Sequence, residues 1–174
     1  METIDSRKIN TKLFSELIEI SQEIGEDNSL IQASGGNTSL KSDDLLVIKA
    51  SGKRLDRAKY ENIFVPLELT PLLNSFNCDN NSEYDLKYKL LSEEELKPSI
   101  ETIFHAIMPF KIVIHCHSLD VIARTLIDNA KVKFENILKD FSWDYIAYAR
   151  PGFPLACLIK ESLKKKKSNV LDRK

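Results

Sequence analysis

The spacing of apolar residues predicts a helix near the start of the chain. Leucine, isoleucine and phenylalanine recur every three or four positions over residues 11–24, which is the period of one helix face. Asn10 or Thr11 is available to cap its first turn, and Gly25 is a plausible stop at its end. This segment carries no residue pattern that indicates chemistry, so its predicted role is packing.

Apolar runs with short polar interruptions predict strands in the next part of the chain. Residues 30–40 and 45–49 are separated by the polar segment 41–44, which favours an antiparallel hairpin. A further strand is predicted over residues 63–67. Because proline cannot donate a ladder hydrogen bond, Pro66 places that strand at a sheet edge or near a strand end.

In the middle of the chain, a helix and a strand follow each other closely. The helix is predicted to begin near Ser99 and to stop at Met108, because the residue before Pro109 disfavours helical geometry. Residues 112–117 are apolar until their last turn and predict a strand.

The remaining segments are predicted with weaker patterns. Residues 74–83 are polar and aperiodic, which is typical of a surface loop, and the charged segment 84–96 predicts a short amphipathic helix. The later predictions are a helix that Ser118 or Asp120 caps and that runs through Leu126, a helix over 134–141, a strand over 143–148, a final helix over 155–164 and a frayed tail over 165–174.

Length and composition favour a single domain over residues 1–174. The formal net charge is −1, whereas nucleic-acid binding needs a basic excess or stripe, so nucleic acid is not an expected partner. No apolar run approaches the roughly 20 residues that span a bilayer, so a membrane partner is not expected either. Three cysteines without C-x-x-C spacing predict a reduced, cytoplasmic protein rather than a disulfide framework.

The end of the strand over 112–117 carries candidate metal ligands. Side chains two apart on a strand share a face, so His115 and His117 are expected to project together while Cys116 points away. Two imidazoles on one face suit a divalent metal ion, although zinc usually takes three or four protein ligands. Glu101 and His105 share a face of the preceding helix. For His105, a buried structural role is favoured.

Two glycine-containing turns are candidate anion sites. Gly35 and Gly36 precede Asn37, Thr38 and Ser39, and such a turn exposes backbone N–H groups beside polar side chains. The same pattern is also typical of a plain hairpin turn, so it is weak by itself. A second small-residue turn contains Ser51 and Gly52.

Taken in order, these segments resemble the class II aldolase/adducin family. The likeness is carried by the segment 35–39, by Lys49-Ala50-Ser51-Gly52, and by Pro98-Ser99-Ile100-Glu101 running on to His115-Cys116-His117. The nearest likeness is to the aldolase part of bifunctional rhamnulose-1-phosphate aldolase/dehydrogenase proteins. The resemblance implies a three-layer α/β/α fold with a mainly antiparallel central sheet, incomplete at its C-terminus, and usually a homo-oligomer.

The resemblance also implies a function and the residues that carry it. It implies metal-dependent retro-aldol cleavage of a small sugar phosphate or related hydroxy-carbonyl compound, with zinc as the expected ion. His115 and His117 match metal ligands, and Glu101 matches the catalytic acid/base. The residues that match the loops holding the substrate phosphate are Asn37, Thr38, Ser39, Ser51, Gly52 and Ser99.

Two departures from the family pattern leave an alternative open. Ile100 stands where the family often has a second polar residue, and the family's third histidine ligand has no counterpart, since all three histidines of the chain are already placed. A third ligand would come from His105, an aspartate or a neighbouring chain. We therefore expect a family member shortened at its C-terminus, which self-associates or is marginally stable. The alternative is a catalytically inactive scaffold or interaction module.

Overall fold

The first helix of the protein matches its prediction at the start and extends past it at the end. The computed structural model describes residues 10–79, 85–91 and 95–171. Helix α1 spans Thr11–Glu26, and the Asn10 side chain accepts a hydrogen bond from the Leu13 N–H at 3.2 Å. Gly25 does not end it. A Cβ atom at Gly25 would lie 2.2 Å from the backbone nitrogen of Asp56, so glycine allows the 3-10 turn Leu55–Arg57 to approach the helix.

Four strands form one antiparallel sheet in the described residues. They are β1 (Asn37–Ser42), β2 (Leu45–Lys49), β3 (Phe64–Glu68) and β4 (Ile112–His115), in the order β3-β2-β1-β4. The predicted hairpin is confirmed, but its first strand begins at Asn37 instead of residue 30, and its turn contains only Asp43 and Asp44. Strand β3 lies at an edge, as Pro66 predicted.

Helices cover both faces of the sheet, which confirms the three-layer α/β/α expectation. On one face, Leu17 of α1 packs in a core with Leu40 and Val47. On the other, Leu46 and Ile48 pack against residues from α2 (Leu69–Ser75), α3 (Thr102–Ile107) and α6 (Phe153–Leu171). Alternate side chains of β2 therefore enter two separate cores, which explains why its sequence is apolar throughout.

Helix α3 and strand β4 are both shorter than predicted. A turn over residues 100–101 precedes α3, and Met108 is its C-cap just before Pro109, so the predicted stop is confirmed. Strand β4 ends at His115, and residues 116–118 continue without strand pairing. Ser118 caps helix α4 (Leu119–Thr125), as expected, and α5 spans Ala130–Ile137.

Several predictions for the weaker segments are wrong. Helix α2 was not predicted, residues 85–91 are not an α-helix and form a bridge to β3 at Leu67, and residues 143–148 are irregular. The last helix, α6, runs from Phe153 to Leu171 instead of stopping at 164. Residues 80–84 and 92–94, which belong to the predicted loop and helix, and the terminal residues 172–174 lie outside the described residues.

The expectation that all cysteines stay unpaired is also wrong. Cys78 and Cys157 form a disulfide with their Cα atoms 5.7 Å apart, although 79 positions separate them in sequence. The second core brings them together, because Cys78 follows α2 and Cys157 lies on α6, and both pack against that core. Cys116 is a free cysteine. No helix in the described ranges combines the length and apolar character needed to cross a bilayer.

Candidate functional site

The antiparallel pairing of β1 with β4 builds the base of the candidate site. Asn37 and His115 are directly opposite partners in this ladder, so their side chains project from the same face of the sheet. The same face receives helix α3, since the Phe104 and His115 rings lie 5.6 Å apart. His117 follows two residues later, and its ring centre lies 4.8 Å from that of His115.

Glu101 joins the two histidines from the turn that precedes α3. The Oε1 atom of Glu101 lies 3.0 Å from Nδ1 of His115, and one potential ligand atom from each of Glu101, His115 and His117 can be chosen so that all lie within 4.8 Å of one another. Residues far apart in the sequence thus form one cluster. We call Glu101, His115 and His117 the trio.

The surroundings of the trio favour an ionised Glu101 carboxylate and a neutral His117 imidazole. Burial raises the pKa of the Glu101 carboxyl, but the His115 imidazole and the Asn37 amide lower it more, so the pKa lies below its usual value. Burial, together with the neighbouring His115, lowers the pKa of His117. Ionised carboxylate and neutral imidazole are the forms in which these side chains bind metal ions.

Unpaired polar atoms at the trio fit a divalent metal ion. Nδ1 of His115 is buried and, despite its proximity to Glu101, has no partner in hydrogen-bond geometry among the described residues. Both side-chain polar atoms of Asn37 also lack a partner in hydrogen-bond geometry among the described residues, although the amide is close enough to Glu101 to lower its pKa. Buried polar atoms without partners are rare in folded proteins, and they often mark a place where an ion or ligand binds. The nitrogen and oxygen donors of the trio are types that zinc accepts.

Ser99 fixes the turn that carries Glu101. Its Oγ accepts a hydrogen bond from the Glu101 N–H at 3.3 Å, and its carbonyl accepts hydrogen bonds from both the N–H and the hydroxyl of Thr102. The second small-residue turn lies alongside, since Ala50 and Pro98 form a bridge and the Ser51 N–H donates to the Lys97 carbonyl at 2.9 Å. Ser51 and Gly52 are exposed, and Gly52 has a left-handed φ of +74°.

Two of the predicted phosphate-binding side chains are turned into the protein interior. The Thr38 hydroxyl lies 2.7 Å from the Ser21 hydroxyl of α1, on the opposite face of the sheet from the trio. The Ser39 hydroxyl lies 2.8 Å from Nδ1 of His105. All four of these side chains are completely buried. The structure therefore brings Asn37 to the trio but directs the hydroxyl groups of Thr38 and Ser39 elsewhere.

His105 is placed as a buried structural histidine. Its side chain has no exposed surface, and it stacks on the Phe104 ring at a centroid distance of 4.7 Å. Burial lowers the pKa of His105 to about 3. It does not belong to the cluster of potential ligand atoms in the described residues.

Lys49 lies in this region, and the sequence pattern gave it no role of its own although it belongs to the segment Lys49-Ala50-Ser51-Gly52. It is the last residue of β2, only 2% of its surface is exposed, and its ammonium donates to the carbonyls of Ser34 and Lys53 at 3.1 and 2.8 Å. The sequence did contain a signal for a buried lysine here, because Lys49 directly follows the apolar residues of β2 and precedes the small residues Ala50, Ser51 and Gly52.

A large cavity lies at the other end of the sheet from the trio. It has a volume of about 700 Å³, and its lining includes Lys41 and Lys111, which are near the opposite ends of β1 and β4 from Asn37 and His115. Cavity size alone would therefore direct attention away from the trio, whose chemistry is the stronger indication of a functional site.

Known proteins are similar to this chain in sequence and in fold. The chain is 33% identical over 162 residues to the "Uncharacterized oxidoreductase YuxG" of Bacillus subtilis, an alignment that covers 85% of this chain and 23% of that protein. The chain therefore spans about a quarter of that relative's length. The N-terminal class II aldolase domain of a conserved protein from Thermoplasma acidophilum superposes with a TM-score of 0.68 and 27% identity, over 90% of this chain and 75% of that chain.

A third protein and a family model complete the comparison. YgbL of Klebsiella pneumoniae, a putative aldolase/epimerase/decarboxylase, gives a TM-score of 0.48 and 20% identity, over 68% of this chain and 50% of that chain. The family model described as Class II Aldolase and Adducin N-terminal domain matches residues 15–173, which is most of the sequence. On that match, the chain belongs to the class II aldolase/adducin family.

Proposed function

We propose that this domain carries out metal-dependent retro-aldol cleavage of a small sugar phosphate or a related hydroxy-carbonyl compound. The observation that carries the proposal is the trio, in which a carboxylate and two imidazoles meet within 4.8 Å. Family membership supports the reaction class, since class II aldolases typically depend on a divalent metal ion. Zinc is the ion that we propose, because its donors are nitrogen and carboxylate oxygen.

His115 and His117 would hold the ion, and Glu101 would handle the proton. A bound divalent cation supplies Lewis-acid stabilisation of the negative charge that develops on the substrate's carbonyl oxygen. In cleavage, the bond between the carbon next to the substrate's carbonyl group and the hydroxyl-bearing carbon breaks, and its electron pair stays on the carbon next to the carbonyl. Glu101 would accept the proton of the hydroxyl that becomes the aldehyde and would return a proton to the carbon that kept the electron pair.

Substrate phosphate binding is proposed for the turns beside the trio. Ser51, Gly52 and Ser99 are joined by the bridge between Ala50 and Pro98, and Asn37 adds an unpaired amide. Hydroxyl and backbone N–H groups hold phosphate without needing a cluster of basic side chains. The buried hydroxyl contacts of Thr38 and Ser39 argue against a direct part for either side chain in holding the phosphate.

Assembly and partners are further parts of the proposal. Helices α4 and α5 leave large apolar side chains uncovered, including Leu119, which is 52% exposed, and Val132, which is 55% exposed. Such a surface favours self-association, so we propose a homo-oligomer. We also propose that neither nucleic acid nor a membrane is a partner; the Cys78–Cys157 disulfide removes the argument from unpaired cysteines for a cytoplasmic location.

The first experiment measures bound metal and then activity. The untagged protein is exposed to zinc, freed of excess ion by gel filtration and analysed for metal content, beside a His115→Ala/His117→Ala variant and a matched His105→Gln variant. We expect about one zinc per chain in the wild type and in His105→Gln, and loss in the double variant. Aldehyde release from a panel of ketose phosphates, with and without the phosphate group, then tests the reaction.

A scaffold without catalytic activity is the second candidate. It is favoured by the small number of ligands, since the trio offers two histidines and His105 is engaged elsewhere. An incomplete site binds metal weakly. Absence of zinc after loading, together with no aldehyde from any compound of the panel, would reject the aldolase proposal and leave the scaffold.

A further inference from the structure

The ammonium of Lys49 is buried and forms no ion pair with a carboxylate of the described residues. The residue is 2% exposed, and within the described ranges no carboxylate oxygen lies within 4.0 Å of its ammonium. Burial lowers the pKa of Lys49, whereas the more distant charge of Glu101 raises it. Keeping an ammonium in such a place is costly unless hydrogen bonds compensate it. The two carbonyl oxygens that accept from it are therefore important to the local structure.

Those two carbonyls belong to the two turns that flank the candidate site. The Ser34 carbonyl lies immediately before Gly35, in the turn that leads into β1, and the Lys53 carbonyl lies immediately after Gly52. One side chain thus joins the two turns, although nearly 20 positions separate them in the sequence.

The first of these turns lies directly against the two histidines of the trio. A Cβ atom at Gly35 would lie 2.8 Å from Nδ1 of His117, and one at Gly36 would lie 2.8 Å from the His115 carbonyl oxygen. The turn therefore packs against the His117 ring and against the backbone of His115. Any displacement of residues 34–36 changes the space that the His117 ring can occupy.

We propose that Lys49 is a positioning residue for the metal ligands, which acts by holding the turn at Ser34–Gly36 against His117. This inference rests on the proposed metal site but goes beyond it, because it assigns a role to a residue that does not touch the ion. The ammonium fixes the Ser34 carbonyl, the Ser34 carbonyl fixes Gly35, and Gly35 limits the orientation of the His117 imidazole. Groups that orient metal ligands from outside the coordination sphere typically change metal affinity by 10–100-fold when removed.

Lys41 provides a matched control within the same sheet. It lies on the neighbouring strand β1 and is partly buried, and its ammonium likewise donates to backbone carbonyls, at His105 (2.7 Å), Ala106 (3.3 Å) and Met108. These carbonyls lie at the C-terminal end of helix α3, whereas Glu101 of the trio precedes its N-terminal end. Removing either ammonium costs hydrogen bonds to the backbone, but only Lys49 holds a turn that contacts a candidate ligand.

The experiment compares Lys49→Met with Lys41→Met, first without metal. In chelator-treated protein, we expect Lys49→Met to speed amide hydrogen exchange at residues 34–36 and 50–53 and to shift the NMR signals of the His117 ring. Lys41→Met should speed exchange only at the end of α3. If Lys49→Met leaves both the exchange and the ring signals as in the wild type, the inference is wrong whether or not the protein binds metal.

The second arm measures zinc affinity by competition with a chromophoric chelator. We expect a loss of 10-fold or more for Lys49→Met and less than twofold for Lys41→Met. Unchanged affinity in Lys49→Met would overturn the assigned role. If the wild type binds no zinc, the proposed metal site is wrong and the metal-free arm alone decides whether Lys49 positions His117. Should Lys49→Met fail to fold, Lys49→Arg, which keeps donors at a different reach, replaces it in both arms.

Discussion

Acidification should destabilise the protein through His105, and the effect can be calculated. His105 is completely buried, its Nδ1 lies 2.8 Å from the Ser39 hydroxyl, and its Nε2 has no hydrogen-bond partner among the described residues. Burial lowers the pKa of His105 from an ordinary 6.5 to about 3. The folded protein therefore keeps this imidazole neutral through the whole mildly acidic range.

The sign of the effect follows from proton binding. Between pH 6.5 and 3 the unfolded chain holds a proton on His105 that the folded chain does not, so lowering the pH favours unfolding. The contribution of neutral His105 is fully present above pH 6.5 and is progressively lost below it. At pH 5, which is 1.5 pH units below 6.5, the expected loss in the free energy of unfolding is about 2 kcal/mol.

Urea unfolding of metal-free protein at pH 7 and pH 5 tests this reasoning, with His105→Gln as the comparison. Other groups also titrate in this range, including His117, whose lowered pKa acts in the same direction. The variant retains those groups, so the difference between the two proteins isolates His105. We expect the wild type to lose about 2 kcal/mol more than the variant between the two pH values. Equal losses would refute the assignment of a buried, neutral His105.

Three further changes test other parts of the structure. Gly36→Ala should lower the unfolding free energy more than Gly52→Ala in urea titrations, because both glycines have left-handed φ values but only Gly36 lacks space for a Cβ atom. About 1–2 kcal/mol is expected for Gly52→Ala, and an equal cost for the two variants would contradict the packing at Gly36. Cys157→Ser should lower the unfolding free energy of oxidised protein by about 2–4 kcal/mol by removing the bond to Cys78, and a reductant should then have no further effect. Thr38→Val should cost about 0.5–1.5 kcal/mol by removing its hydrogen bond with the Ser21 hydroxyl, which keeps its bond to the Leu17 carbonyl, while zinc content stays unchanged; loss of zinc would instead place Thr38 at the site.

The sheet and the trio were accessible from the sequence because their patterns are local or carry chemistry. The apolar run of β2 predicted the bounds of that strand, and Pro109 predicted the end of α3 within one residue. His115 and His117 were recognised from a spacing of two at a strand end. Their meeting with Glu101 requires the turn before α3 to lie against the end of β4, which the sequence pattern allows but cannot establish.

The errors concern features that only tertiary packing decides. Cys78 and Cys157 have no spacing that relates them, and they meet because α2 and α6 share one core. Gly25 was taken as a helix stop, but its lack of a side chain serves the close approach of the chain at Asp56. A glycine at the end of an apolar pattern can serve either purpose, and the sequence does not distinguish them.

Strand geometry constrains the prediction that Asn37, Thr38 and Ser39 hold the substrate phosphate. The segment was predicted both as the end of a strand and as three consecutive side chains that hold one phosphate, yet neighbouring strand residues point to opposite faces. In the structure Asn37 faces the trio and Thr38 faces α1. Ser39 shares the face of Asn37, but its position farther along the strand brings it to His105. Only the first residue of the strand can therefore present its side chain at the sheet end where the trio lies, and Asn37 is the member of this segment that we expect a substrate to contact.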